Sequence, residues 1–165
     1  MSDVPGNLTL PYRHVQVGYG TILALGTGFV TQTGKLVRDL RRRRGRLWLQ
    51  VSLTLSFAAL MALLASLRVE VDESHVAAGF TGGLLARRIP LERIESARVR
   101  RLPWYAGWGI RRVGDGWAYT VWGRDAVELG LVGGGVFVIG TDQPEALLAA
   151  VEEARGLAEL ARRVA

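Results

Sequence analysis

Arginine and tryptophan supply the chemistry that clusters most tightly in this chain. Arg98, Arg100 and Arg101 precede Trp104, Tyr105 and Trp108, and Arg111 and Arg112 follow them. A guanidinium presents several planar donors that match phosphate or carboxylate. Indole and phenol rings suit a membrane interface or the centre of a protein contact. The chemistry implied is recognition of an anionic surface, with no bond made or broken. A plainer reading stands beside it: Trp104 and Trp108 are core residues, and the arginines line an exposed strand edge.

A second basic group comprises Lys35, Arg38, Arg41, Arg42, Arg43, Arg44 and Arg46, with Asp39 the one acid among them. Beside an apolar helix such a run attracts anionic lipid at about 1 kcal/mol per cation and biases membrane topology. Nucleic-acid binding through the same run is the alternative. Against it, residues 68–165 hold thirteen basic and thirteen acidic side chains, whereas residues 1–67 hold eight and two. A nucleic-acid-binding domain is expected to be basic itself.

No catalytic constellation is apparent. The chain has no cysteine, which excludes disulfides and thiol chemistry. His14 and His75 lie far apart and fit no ligand spacing. There is no Walker sequence or nucleophile elbow, and Gly133 to Gly135 fall between strands rather than before a helix. The expectation is a protein that is not an enzyme and holds no metal or cofactor.

Two segments set the frame for these residues. Leu47 to Leu67 is uncharged for 21 residues and as a helix would span about 30 Å, the thickness of a hydrocarbon core. A buried soluble helix is the alternative, disfavoured because so small a domain has little bulk to enclose it. Residues 15–34 are also uncharged but richer in glycine and threonine. They read as a second span whose Gly18, Gly20, Gly26 and Gly28 pack on the first, or else as an interfacial or re-entrant segment. No small-residue site suggests a cleaved signal peptide. The organisation expected is a tail over 1–14, a membrane hairpin over 15–67 with spans 15–34 and 47–67 around a basic loop 35–46, and a folded domain over 68–165.

In that domain Val69 and Val71 alternate with Glu70 and Asp72, as in a strand. His75 to Phe80, Leu84 to Ile89, Leu91 to Val99, Trp117 to Val121, Val127 to Leu131 and Val136 to Ile139 read as further strands. Gly114-Asp115-Gly116 and Gly133 to Gly135 mark hairpins. Asp142 or Thr141 caps a final helix, with Glu145 at capping-box spacing from Asp142. Leu147, Ala150, Val151, Ala154 and Leu157 form its apolar face, and Gly156 weakens or ends it.

Pro103, Trp104, Gly107, Trp108, Gly109, Thr141 and Pro144, in this order and spacing, resemble the bacterial pleckstrin-homology-like (bacterial PH) domain family over roughly Arg68 to Arg155. The resemblance implies a mostly-β, PH-like barrel of about seven antiparallel strands closed by one C-terminal helix. It carries over no catalytic residue, and those positions look like fold determinants. With the spans, it implies a membrane-anchored binding or scaffolding module whose partner is a protein, a second copy of the chain, or anionic lipid. Relatives of that layout place the domain in the cytoplasm, at a bacterial plasma membrane. The positive-inside rule instead places residues 35–46 there. With one span between them both cannot hold, and the resemblance is followed here.

Overall fold

The computed structural model describes residues 11–42, 47–83 and 85–164. These residues include three α-helices and two sheets. Helix α1, Tyr19–Arg42, and helix α2, Leu47–Leu64, run antiparallel, with Gly28 against Phe57 and the Gln50 amide donating to Asp39. Gly28 leaves the space that the Phe57 ring occupies; a methyl there would press on the ring.

The first sheet takes the order β1-β2-β3-β4, all antiparallel: Tyr12–Val17, Ser66–Val71, His75–Phe80 and Arg87–Pro90. In β2, buried Leu67, Val69 and Val71 alternate with Arg68 and Glu70. This period of two follows from the pleat. The Asp72 carboxylate accepts from the Ser74 and His75 backbone N–H groups at 2.8 Å and closes the next turn.

The second sheet contains β5 (Ile94–Arg101), β6 (Gly109–Val113), β7 (Gly116–Thr120), β8 (Asp125–Leu131) and β9 (Val136–Gly140) in the order β5-β8-β9-β7-β6. Helix α3, Pro144–Val164, follows. Pro144 opens it, where a fixed φ and a missing N–H are tolerated. Leu147, Ala150, Val151 and Ala154 are buried in one core with Leu67, Phe80, Leu129 and Phe137 of the two sheets.

The structure departs from the sequence reading in several places. From Ser66 onward eight strands are described where about seven were expected, and β7 pairs with β9 in parallel. Residues 12–17, expected to divide between a tail and a span, form β1, because Tyr12 to Val17 find hydrogen-bonding partners in β2. Helix α1 begins only at Tyr19 and continues through Lys35, Arg38, Arg41 and Arg42, which were expected in a loop. Arg43, Arg44 and Arg46 lie outside the described residues. Helix α2 ends at Leu64, since Ser66 and Leu67 join β2. Of the four glycines expected to pack against α2, Gly26 and Gly28 do so, while Gly18 precedes α1 and Gly20 meets Trp122. Gly156 does not end α3, and Leu157 is exposed.

At the start of α3 the Thr141 hydroxyl accepts from the Gln143 N–H at 3.1 Å. The Asp142 carboxylate instead meets His14 Nε2 at 2.5 Å, fastening β1 to the helix start. Tyr12 on the same strand is buried with its hydroxyl unpartnered. Burial, and then the Asp142 charge, push that hydroxyl up to a pKa of about 12.

Candidate functional site

Strands β5 and β6 lie at opposite edges of the second sheet. Four interstrand steps separate them, about 19 Å measured along the sheet at 4.8 Å per step. The arginines before and after the aromatic segment therefore do not meet on one rim. Successive strand residues also face opposite sides. Arg98 and Arg100 share the side of their partners Glu128 and Ala126, and Arg101, opposite Asp125, takes the other. Arg111 lies on the side of Ala118, and Arg112 on that of Trp117.

The segment between them crosses the face of the sheet. Buried Leu102 and half-buried Ala106 pack on Ala118, Ala126 and Val138. This holds the intervening residues out: Trp104 is 81% exposed and Tyr105 73%. Their rings meet edge to face at 5.9 Å in a 3-10 turn, Trp104–Ala106. Trp108 is also exposed and packs on Trp122, ring centroids 5.2 Å apart. Neither Trp104 nor Trp108 is a core residue.

Three of the arginines are committed to the fold. Arg98 Nε donates to Glu128 Oε1 at 2.9 Å, and Arg100 donates to Glu128 Oε2. Glu128 is buried. Burial alone would raise its pKa, but the hydrogen bonds from Arg100 and Arg98 hold it below the usual carboxylate range. Arg111 Nη1 donates to the Gly107 carbonyl at 2.7 Å and to Thr120 Oγ1 at 2.9 Å. It thereby ties the aromatic segment to β7. Burial pulls its pKa below the ordinary guanidinium value. Arg101 has only a loose pairing with Asp125 at 3.7 Å, and Arg112 is exposed.

The aromatic segment sits where α1 and α2 join the sheets. Gly18 N–H donates to the Ala65 carbonyl at 2.8 Å, so the helices reach the domain side by side. Thr21 Oγ1 donates to the Val121 carbonyl at 2.7 Å, and Gln16 Nε2 to the Trp122 carbonyl at 3.2 Å. A side chain at Gly20 would overlap the Trp122 ring and touch Trp108. The opposite end of the helix pair carries Lys35, Arg38 and Arg41, with Trp48 exposed one residue into α2.

Sequence reasoning missed Glu128, Trp122 and the His14–Asp142 pair. Glu128 looked like a solvated strand carboxylate. Only the occurrence of Trp122 one residue beyond a strand hinted at its place. His14 and Asp142 are 128 residues apart, and nothing local joins them. Among the described residues no group of His, Asp and Glu is placed to hold a metal ion.

Among the described residues one helix, Leu47–Leu64, is long and apolar enough to cross a membrane. No protein-family model matches the chain, and neither a curated protein nor a solved structure matches it.

Proposed function

We propose that this chain is a membrane-anchored, non-catalytic binding module. In this reading α1 and α2 form a helical hairpin in the bilayer. The sheets and α3 form a PH-like domain that presents a protein- or anionic-lipid-binding surface at the membrane. The observation that carries the reading is α2: its 18 residues bear no charge and none is buried. An all-round apolar helix left on the outside of a protein calls for lipid as its solvent. The two sheets sharing one core under α3 support the domain reading, as do the residues that resemble the bacterial PH family.

The domain side is the cytoplasm of a bacterial plasma membrane on that resemblance. A second reading, with the domain on the far side, is favoured by Lys35, Arg38 and Arg41 at the helix end remote from the sheets, because basic loops stay in the cytoplasm. Protease protection of the domain in sealed and opened vesicles separates the two. The anchoring itself is tested by alkaline carbonate extraction of membranes containing the full chain. Retention in the pellet is expected, and release without detergent overturns the reading.

A further inference from the structure

We propose that the end of the domain bearing Trp104, Tyr105, Trp108 and Trp122 lies in the headgroup layer of the leaflet from which α1 and α2 emerge. The domain is then docked on the lipid surface rather than suspended above it. This inference rests on the anchored reading above and adds where the domain sits.

The first argument is distance. A single residue, Ala65, separates α2 from β2, and one residue reaches at most about 3.6 Å. Gly18 closes the other exit by its hydrogen bond to Ala65. With α2 in the hydrocarbon, the domain has no tether on which to rise. Trp122, packed on Gly20 in the first turn of α1, must then stand at the bilayer boundary, and Trp108 stands with it.

The second argument is composition. The ends of β5 and β7 and the starts of β6 and β8 share this end of the second sheet. Its loops expose Trp104, Tyr105, Trp108 and Trp122, and Leu85 is exposed in the loop after β3. These are the amphipathic rings that favour the water–lipid boundary. Arg124 is exposed in the same loops, and among the described residues no carboxylate lies within 4.0 Å of its guanidinium. A cation at that level gains about 1 kcal/mol from anionic lipid. The turns at the opposite end of the domain carry Asp72, Glu73, Glu92 and Asp115 against one cation, Arg93. At the aromatic end exposed Asp125 accompanies Arg101 and Arg124. The turns are thus aromatic with a slight cationic excess toward the helices and mainly acidic away from them, the polarity that a negative lipid surface selects.

The cysteine-free chain permits a direct test. Single-cysteine variants Leu55→Cys, Tyr105→Cys and Glu153→Cys of the full chain carry a nitroxide. They are reconstituted in vesicles of phosphatidylcholine and phosphatidylglycerol. Collision with oxygen and with an aqueous nickel chelate reports depth. The label at 55 is expected in the hydrocarbon. The label at 105 is expected at the headgroups, with nickel accessibility several-fold below that at 153. A label at 55 exposed to nickel overturns the anchored reading and this inference with it. A label at 55 in hydrocarbon, with equal accessibility at 105 and 153, overturns this inference alone and leaves the aromatic end to a protein partner.

Discussion

Helices α2 and α3 are close in length, 18 and 21 residues, and stand in opposite relations to the rest of the chain. Helix α3 has one buried face, Leu147, Ala150, Val151 and Ala154, and its remaining faces carry acids and arginines. Its solvent is the domain on one side and water on the other. Helix α2 is apolar all round and buries no residue. Its last residue, Leu64, packs on the domain core, and among the described residues α1 is the helix that runs beside it. The same element thus serves two ends. Where apolar residues are confined to one stripe, the fold supplies the apolar environment. Where charge is absent, the environment must come from outside the chain.

The contrast is broken most severely by charge. The domain accommodates a buried carboxylate, Glu128, because Arg98 and Arg100 clasp it. Removal of both cations, Arg98→Ala with Arg100→Ala, is expected to cost about 3–5 kcal/mol in denaturant unfolding of the detergent-solubilised chain, since the buried Glu128 carboxylate is left without a partner. Acid acts on the same group. Its folded pKa is depressed, so its contribution is complete above the ordinary carboxylate range. That contribution is lost as pH falls through the lower folded value. Unfolding midpoints of the parent should therefore fall with acid more steeply than those of Glu128→Gln.

Apolar truncation separates the helices next. Leu147→Ala removes a fully buried side chain and is expected to cost about 2–5 kcal/mol of domain stability. Leu55→Ala, on an exposed face of α2, should change the same midpoint by less than about 0.5 kcal/mol. Equal losses would mean that α2 is held by the domain after all.

Insertion supplies the converse. Leu60→Arg is expected to disfavour membrane insertion of α2 by about 2.5–3.5 kcal/mol, read as the glycosylated fraction in a translocon assay. Leu160→Arg on the exposed face of α3 should leave domain stability within about 0.5 kcal/mol of the parent. Among the truncations of large side chains in the domain, a smaller effect is expected at Trp117. A core tryptophan would cost about 3–5 kcal/mol on truncation. Trp117 is 41% exposed, and Trp117→Ala should cost nearer 1 kcal/mol in the same unfolding measurement.

Seven of the nine strands were legible as alternation or as apolar runs between turn residues, although their ends shifted by a few positions. The two that were not, β1 and β6, show why. Tyr12 to Val17 adjoin a glycine-rich apolar stretch, and local pattern merged them with it. Pairing with β2, about fifty residues on, sets them apart. Gly109 to Val113 begin with a glycine at φ 99° and hold two consecutive arginines, which disguises the period of two.

The candidate site divides in the same manner. Its aromatic exposure was left open by the residues alone, because an indole is equally at home in a core. Leu102 and Ala106 decided it by taking the buried positions. Sequence proximity suggested that Arg100, Arg101, Arg111 and Arg112 would share a rim. The strand order and the pleat separate them.

By itself the sequence determined the uncharged helix, the basic run, the amphipathic terminal helix and most of the strands. Each depends on composition or periodicity within a few turns of chain. The tertiary structure alone decided which strands are edges, that Glu128 is buried between two arginines, and that Trp108 and Trp122 stand beside Gly20. Those facts depend on the register and order of segments up to about a hundred residues apart. Many chain routes satisfy the same local pattern, and packing and hydrogen bonding select among them.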